Sequence, residues 1–305
     1  MLNRILQSVV TVIGASFLIF AAVFVLPGDA IDALVGDNPV SPEVEAALRA
    51  RFNLDGSLWD QYTGYVQAVL SGDFGRTTDG RNVSRMLELA WPVTLLLAAT
   101  AWILELVIGL GIGIASALLP GRLVDRLGWA LTLLSLAVPT FAVALLLQHY
   151  VGLGTGLFPV AGTRAGWPMA YILPAAALAL VGFGSTARLT RVSVANTMDS
   201  EFVRLARARG ISGSRVIFSY ILRPGIIPLV THLGVSFAGM LGGAVIVEAI
   251  FNLGGVGGLI VNAVSRREGS TIVGLVTILV VLVAVINIVI DLAYRFLDPR
   301  LRTTT

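Results

Sequence analysis

Cysteine is absent from the 305 residues, which excludes disulfides, thiolate metal sites and cysteine nucleophiles. Lysine is absent as well, so every one of the 21 basic residues is arginine. No side-chain Schiff base can form and no pyridoxal phosphate can be tethered. The lysine of a Walker A loop is also missing, so this chain cannot supply the usual ATP-binding loop. Charge of either sign is scarce: 13% of residues are charged and 56% hydrophobic, against about 25% and about 45–50% in an ordinary soluble domain. That deficit cannot cover the water-facing surface of a chain this long. The apolar content equally excludes a disordered polymer. The net charge is only +3 and no basic face on a soluble module is visible, so nucleic acid is not an expected partner. The two histidines, His149 and His232, are too few for a metal site and read as structural residues.

What is present is a series of long apolar runs. A bilayer core of about 30 Å needs about 20 apolar helical residues, and six stretches satisfy this. They run from about Ile5 to Leu26, Val93 to Leu119, Leu127 to Val151, Met169 to Ala187, Ile226 to Phe251 and Ile272 to Leu297. The fourth is interrupted by Pro174, Gly182 and Gly184, which are tolerated where neighbouring helices restore the backbone hydrogen bonds. The first exceeds the 7–15 apolar residues of a signal peptide, and the Leu-Pro-Gly-Asp that follows is not a small-residue cleavage site. It reads as a retained helix. The fold class expected is an all-α membrane protein with six transmembrane helices.

Arginine placement sets the orientation. One set of connections holds Arg4, Arg122, Arg126, Arg188, Arg191, the cluster from Arg204 to Arg223, and Arg295, Arg300 and Arg302; the opposite short loops hold Arg164, Arg266 and Arg267. Both termini are therefore expected in the cytoplasm, with the segment Pro27 to Trp91 outside. That segment carries helix signals. Ser41-Pro42-Glu43 is a start of serine cap, first-turn proline and acid, predicting a helix to about Arg51. Ser57 with Asp60 makes a capping box, followed by Leu58, Tyr62, Tyr65, Val66, Val69 and Leu70 at helical spacing and ended by Ser71-Gly72. These helices are expected to cover the outer mouth of the bundle and to form a docking or gating surface.

The connection after the fourth span is the most informative. Asp199-Ser200-Glu201 places acids at the positive end of a helix dipole, and a helix from about Ser200 to Arg209 stops at Gly210, the residue suited to a left-handed C-terminal position. Ser212 caps a second short helix to about Leu222, and Arg223-Pro224-Gly225 is expected to break it before the fifth span. Arg204, Arg207, Arg209 and Arg215 project from this elbow, while Phe202, Leu205, Val216 and Phe218 give it an apolar side. Packing against lipid headgroups is one reading. Insertion of the apolar ridge and guanidinium forks into a partner's groove is the other.

The run "RLARARGISGSRVIFSYILRPGIIP" resembles the coupling loop of ABC importer permeases. Ala206, Gly210, Leu222 and Pro228 stand where that family has its alanine, glycine, leucine and proline. The "ARARG" version is similar to the dipeptide/oligopeptide/nickel group. The other segments are collinear with that group: "LPGDA", "DQYTGYVQAVLSGDFGRT", "AVPTFAVALLL", "FPVAG", "GGAVIVEAIFNLGGVGG" and "NIVIDLAYRFLDPRLR". The long outer loop resembles the B-type of the two permease subunits. The chain departs from the pattern at Tyr220 and Ile172, where the family often has histidine, at Arg223-Pro224-Gly225, and in lacking proline before Gly254-Gly255.

The resemblance implies a type I ABC importer permease fold. Its parts are an N-terminal transmembrane helix (1–26), an extracytoplasmic helical loop (27–91), a permease domain (92–298) and a cytoplasmic tail (299–305). It implies a bacterial inner-membrane component that pairs with a second permease, binds two ABC ATPase subunits and receives peptide from an extracytoplasmic substrate-binding protein. ATP and Mg would be used by the ATPases; no cofactor, metal or catalytic site is expected in this chain, which is not an enzyme. The ATPase-coupling residues implied are Glu201, Phe202, Arg204, Leu205, Ala206, Arg207, Arg209, Gly210, Ser212 and Arg215.

Acids are costly within spans and face protein or water there. Glu248, beside the glycine-rich run with Gly254 and Gly255, is a candidate outer gate. Asp291 is expected to pair with Arg295 four residues on. Glu105 is left open between pairing across helices and supporting a partner interface. Gly109 with Gly113, and Gly239 with Gly243, suit close helix contacts, within this chain or against the paired permease. Two other readings remain: a permease for nickel or another small solute, and an ion-gradient transporter using Glu105, Glu248 and Asp291 as proton carriers. The internal repeats common in such transporters are not evident. An intramembrane enzyme would need a base or ligand cluster that the chain lacks.

Overall fold

The computed structural model describes residues 2–24, 41–44, 46, 57–77 and 79–297. The side chains of residues 2–5, 24, 291 and 293–297 lie outside that description, so the expected Asp291–Arg295 pair is not part of it. Nor is most of the helix expected from Ser41 to Arg51, although residues 42–44 and 46 are helical and Ser41 Oγ accepts from the Val44 amide at 3.4 Å.

The described regular structure is helical, apart from one antiparallel bridge between Arg76 and Asn82. The helices are α1 (Leu2–Phe24), α2 (Leu58–Leu70), α3 (Val83–Leu118), α4 (Leu123–Ala137) and α5 (Thr140–Leu146), the last continuing as a π-helical segment (Leu147–Leu153). There follow α6 (Met169–Met198), α7 (Glu201–Ala208) and α8 (Gly213–Arg215), with a second π-helical segment (Val216–Leu222). The last three are α9 (Arg223–Phe251), α10 (Val256–Ser265) and α11 (Gly269–Leu297). Helices pair every interior backbone group within the segment, which hydrocarbon requires. Among the described residues, five helical runs are long and apolar enough to cross a membrane: Leu6–Val23, Val83–Leu118, Met169–Met198, Gly213–Phe251 and Gly269–Ile290.

Two expectations are corrected by proline geometry. The third span is not one rod: α4 and the run Thr140–Leu153 meet at 107° and make a sixth crossing only if both arms are taken together. Pro139 lacks an N–H and disfavours helical backbone at the residue before it, and Val138 is extended at φ −100°, ψ 124°. Conversely, Arg223-Pro224-Gly225 does not break the chain. The helix continues from Gly213 to Phe251. The wider π turns of 216–222 lie just ahead of Pro224, where an α-helical register would press the ring on the carbonyl four residues earlier.

The chain forms two compact units, Met1–Leu95 with Asn252–Val289, and Leu96–Phe251 with Ile290–Thr305. In the first, α2 starts as the sequence predicts: Ser57 Oγ accepts from the Asp60 amide at 3.3 Å and Asp60 Oδ2 accepts from the Ser57 amide at 3.2 Å. Tyr62 is buried, its hydroxyl 2.7 Å from Ser16 Oγ and 3.1 Å from the Ile13 carbonyl, and its ring meets Phe17 edge-on at 5.1 Å. Tyr65 donates to the Val273 carbonyl at 3.3 Å, and burial pushes its phenol up to about 12. The helix is thus held against α1 and α11. Leu70, at the end of the expected apolar set, is 81% exposed. In the turn before α3, Asp79 bonds Arg81 Nε at 2.8 Å and contacts the Thr77 hydroxyl. The Arg81 guanidinium holds its carboxyl down to about 2, with the Thr77 bond adding to the effect.

In the second unit, α3 and α6 approach closely because α3 presents glycines. A Cβ on Gly109 would meet Thr186 Cγ2 at 2.9 Å, and one on Gly113 would meet the Ala187 carbonyl at 2.6 Å. This pair therefore packs within the chain. Gly243 packs on Leu178, whereas Gly239 faces open space. Gln148, in the first π segment, donates to the carbonyls of Val160 at 2.7 Å and Ile250 at 2.9 Å. Glu105 is fully buried. Its carboxylate accepts from Thr186 Oγ1 on α6 and Ser236 Oγ on α9, both at 2.5 Å, so one acid joins three helices. Gly182 lies against that carboxyl group, and any added Cβ would overlap it.

Two outcomes follow. Gly182→Ala is expected to destabilise the protein by about 1–3 kcal/mol through overpacking against Glu105. Gly111→Ala on α3, with open space beside it, should be within about 0.5 kcal/mol of neutral or stabilising. Thermal unfolding of the purified variants in detergent compares them. Separately, the depressed Asp79 carboxyl stabilises its turn fully above its ordinary value of 3.8, and that contribution is lost as the pH falls through about 2. Hydrogen exchange at the Arg81 amide, which bonds Thr77 Oγ1 at 3.0 Å, should lose protection over that window in the parent chain and not show this step in Asp79→Asn.

Candidate functional site

The elbow between α6 and α9 is built much as its residues dictate. Asp199 closes α6 and Ser200, extended at φ −67°, ψ 151°, opens α7. The Ser200 hydroxyl does not cap α7; it donates back to the Thr197 carbonyl at 2.6 Å. Glu201 sits in the first turn and Arg207 in the last, each matching the sign of its helix end. Gly210 has φ +74°, the left-handed conformation that costs glycine least. The turn is closed by the Gly210 amide on the Arg207 carbonyl at 3.0 Å and the Ile211 amide on the Ala206 carbonyl at 3.3 Å. Ser212 stands at the N-cap of α8, again without a side-chain capping bond.

The elbow has an anchored face and a free face. Val203, Ala206, Val216 and Ile221 are buried in one cluster with Ala117 of α3 and Val194 of α6, and Ile114, Met198 and Ile211 pack around it. Burying a side chain the size of valine contributes about 1.5–3 kcal/mol, so the elbow is fastened to two spans. Val216 thus belongs to the anchor and not, as expected, to the outward apolar side. Outward stand Phe202, Leu205 and Phe218, at 48%, 52% and 69% exposure, interleaved with exposed Glu201, Arg204, Arg207, Arg209 and Arg215. An apolar ridge framed by guanidinium groups on a fixed base is chemically suited to a protein groove with acidic rims.

The candidate gate residues are placed as follows. Glu248 is fully buried on α9, in the second unit. Gly254 and Gly255 belong to the first unit. Gly254 has φ +76° and Asn252 φ 46°, making a turn, and Gly255 is the N-cap of α10. That helix was not anticipated; its first amide, Val256, is capped by Thr94 Oγ1 at 2.9 Å.

Sequence reasoning missed one arrangement. His232 Nε2 lies 3.0 Å from Thr186 Oγ1, which itself donates to Glu105. His232, Thr186, Glu105 and Ser236 form one polar chain across three helices. The only linear signal was an acid, a histidine and two hydroxyl residues on apolar runs, with nothing to pair them.

The family described as binding-protein-dependent transport system inner membrane component matches residues 109–303. The glutathione transport system permease protein GsiC of Salmonella typhimurium is 34% identical over 302 residues, covering 99% of this chain and 98% of that protein. The oligopeptide permease OppB of Haemophilus influenzae is 32% identical over 86% of each chain. The dipeptide permease DppB of Bacillus subtilis is 31% identical over 99% of this chain and 97% of its own. Among solved structures, an amino acid ABC transporter superposes with a TM-score of 0.56 at 18% identity, over 70% of this chain and 94% of the other. An inward-facing MetNI methionine ABC transporter gives 0.58 at 17% identity, over 70% and 96%; these two likenesses concern the fold. With the elbow geometry they lead to one conclusion: the chain belongs to the binding-protein-dependent transport system inner membrane components, the membrane permeases of ABC importers.

Proposed function

We propose that this chain is the transmembrane permease subunit of an ATP-driven importer of peptides, forming the translocation pathway together with a paralogous permease. Peptide-class cargo, from glutathione-sized to oligopeptide, is supported by the transport activities of relatives aligned over 86% or more of their length. Two ATPase subunits bind below the permease pair, one of them seated on this elbow, and a substrate-binding protein delivers cargo at the opposite face, with both termini of this chain in the cytoplasm. Family membership favours this over an ion-gradient mechanism.

The observation that carries the reading is the two-faced elbow. Its inner face is fastened to α3 and α6 through Val203 and Ala206, while Phe202, Leu205 and the arginines face outward. A motion imposed on the outer face is passed to the spans because the inner face has no slack. Ala206 is small because it is buried at 3% exposure, and Gly210 is glycine because of its positive φ.

The test replaces Arg204, Arg207 and Arg209 with glutamate in the assembled transporter. Insertion and expression should be retained, since all three side chains are exposed. ATP-dependent peptide uptake in proteoliposomes should fall at least tenfold, with ATPase activity no longer stimulated by loaded binding protein. Normal uptake with unchanged stimulation would overturn the assignment.

A further inference from the structure

An open slot lies between α3, α4 and α6, outside the coupling elbow. Its walls are mainly apolar, formed by Ile112, Trp129 and Val192, with Ser116 also in the lining and Arg188 and Arg191 beside them. The two arginines differ. Arg191 is satisfied: its guanidinium donates to both carboxylate oxygens of Asp125, at 2.7 and 3.1 Å, and lies 5.7 Å from the centre of the Trp129 ring. Arg188 is exposed and pairs with no carboxylate among the described residues. Ser116 Oγ is buried and has no hydrogen-bond partner among them.

The depth of the slot bears on what fills it. From Met169 to Arg188 an α-helix rises about 28 Å, close to the roughly 30 Å thickness of a hydrocarbon core. Arg188 therefore stands at headgroup level when Met169 stands at the other surface. Trp129, 45% exposed, shares that level, as an interfacial tryptophan does. Beyond the slot α4 turns Leu127, Leu131 and Leu134 outward, at 53%, 40% and 55% exposure, a surface suited to acyl chains. A free cation at headgroup depth above an apolar channel matches an amphiphile with an anionic head. A soluble anion would leave the channel empty, and a zwitterionic lipid would bring its own cation beside Arg188.

We propose that this slot binds an anionic phospholipid from the leaflet nearest the elbow, with its phosphate on the Arg188 guanidinium and one acyl chain along Trp129 and Ile112. The Asp125–Arg191 pair holds the tryptophan wall in place, leaving Arg188 as the head-binding group. Because α3 and α6 also anchor the elbow through Ala117 and Val194, the lipid would sit against the same two helices that carry the coupling motion.

The test uses the assembled transporter in vesicles of phosphatidylcholine with increasing phosphatidylglycerol, with dibrominated acyl chains on one lipid or the other. Trp129 quenching is the difference between the parent chain and Trp129→Phe. Brominated phosphatidylglycerol should quench Trp129 at a several-fold lower mole fraction than brominated phosphatidylcholine. Arg188→Gln should bring that ratio to one, and Arg188→Lys, which keeps the charge, should retain most of it. Equal quenching by the two lipids in the parent chain would overturn the proposal, as would an unchanged ratio in Arg188→Gln. Absence of quenching by either lipid would also overturn it, since a protein surface would then cover the slot.

Discussion

In hydrocarbon there is no water to pair with an orphaned amide or carbonyl, and this chain has too few charges to live anywhere else. That single constraint makes its described regular structure almost entirely helical. It also governs the irregularities. At Pro139 the chain bends into two arms, with Val138 before it in extended backbone. Pro224 is passed over because a π-helical segment just before it shifts the hydrogen-bond register. The same residue type ends one helix and is absorbed in another, and the turns beside it make the difference.

Polar groups inside the second unit obey the same rule. Glu105 is buried but its oxygens receive hydroxyl donors from two other helices, and Gly182 leaves the space it occupies. Gly109 and Gly113 bring α3 and α6 near enough for such bonds to form. Close packing and polar satisfaction are therefore one feature: without the glycines the helices stand too far apart, and without the hydroxyls the acid has no partner. The hydrophobic effect gives no drive to helix association in a membrane, where lipid tails are as apolar as leucine, so close packing and interhelical hydrogen bonds carry it.

The elbow lies outside this regime. It is exposed on one side, and there ordinary amphipathic logic applies: Val203 and Ala206 face inward at helical spacing, and Phe202, Leu205 and the arginines face outward. A soluble-type surface fastened to membrane-type helices is what a permease needs if work is done by another chain. The lysine-free sequence lacks the Walker A lysine and so the usual means of ATP binding.

Composition and periodicity determined, before any coordinates, that the chain is an all-helical membrane protein. They located its apolar stretches, the capping box at Ser57 and the glycine elbow at Gly210, while the family was legible only as a resemblance carried by short motifs such as that elbow's. These are local properties, read within one helix or one turn. The tertiary structure alone decided where the third span bends, that the fifth begins as far back as Gly213, and that α10 exists. It also decided that Val216 belongs to the anchor and that His232 joins Thr186 and Glu105. Glu105 meets partners 81 and 131 positions away. No window of sequence contains both ends of such a bond, because which helices touch, and in what rotation, is set by side-chain shape across the whole bundle.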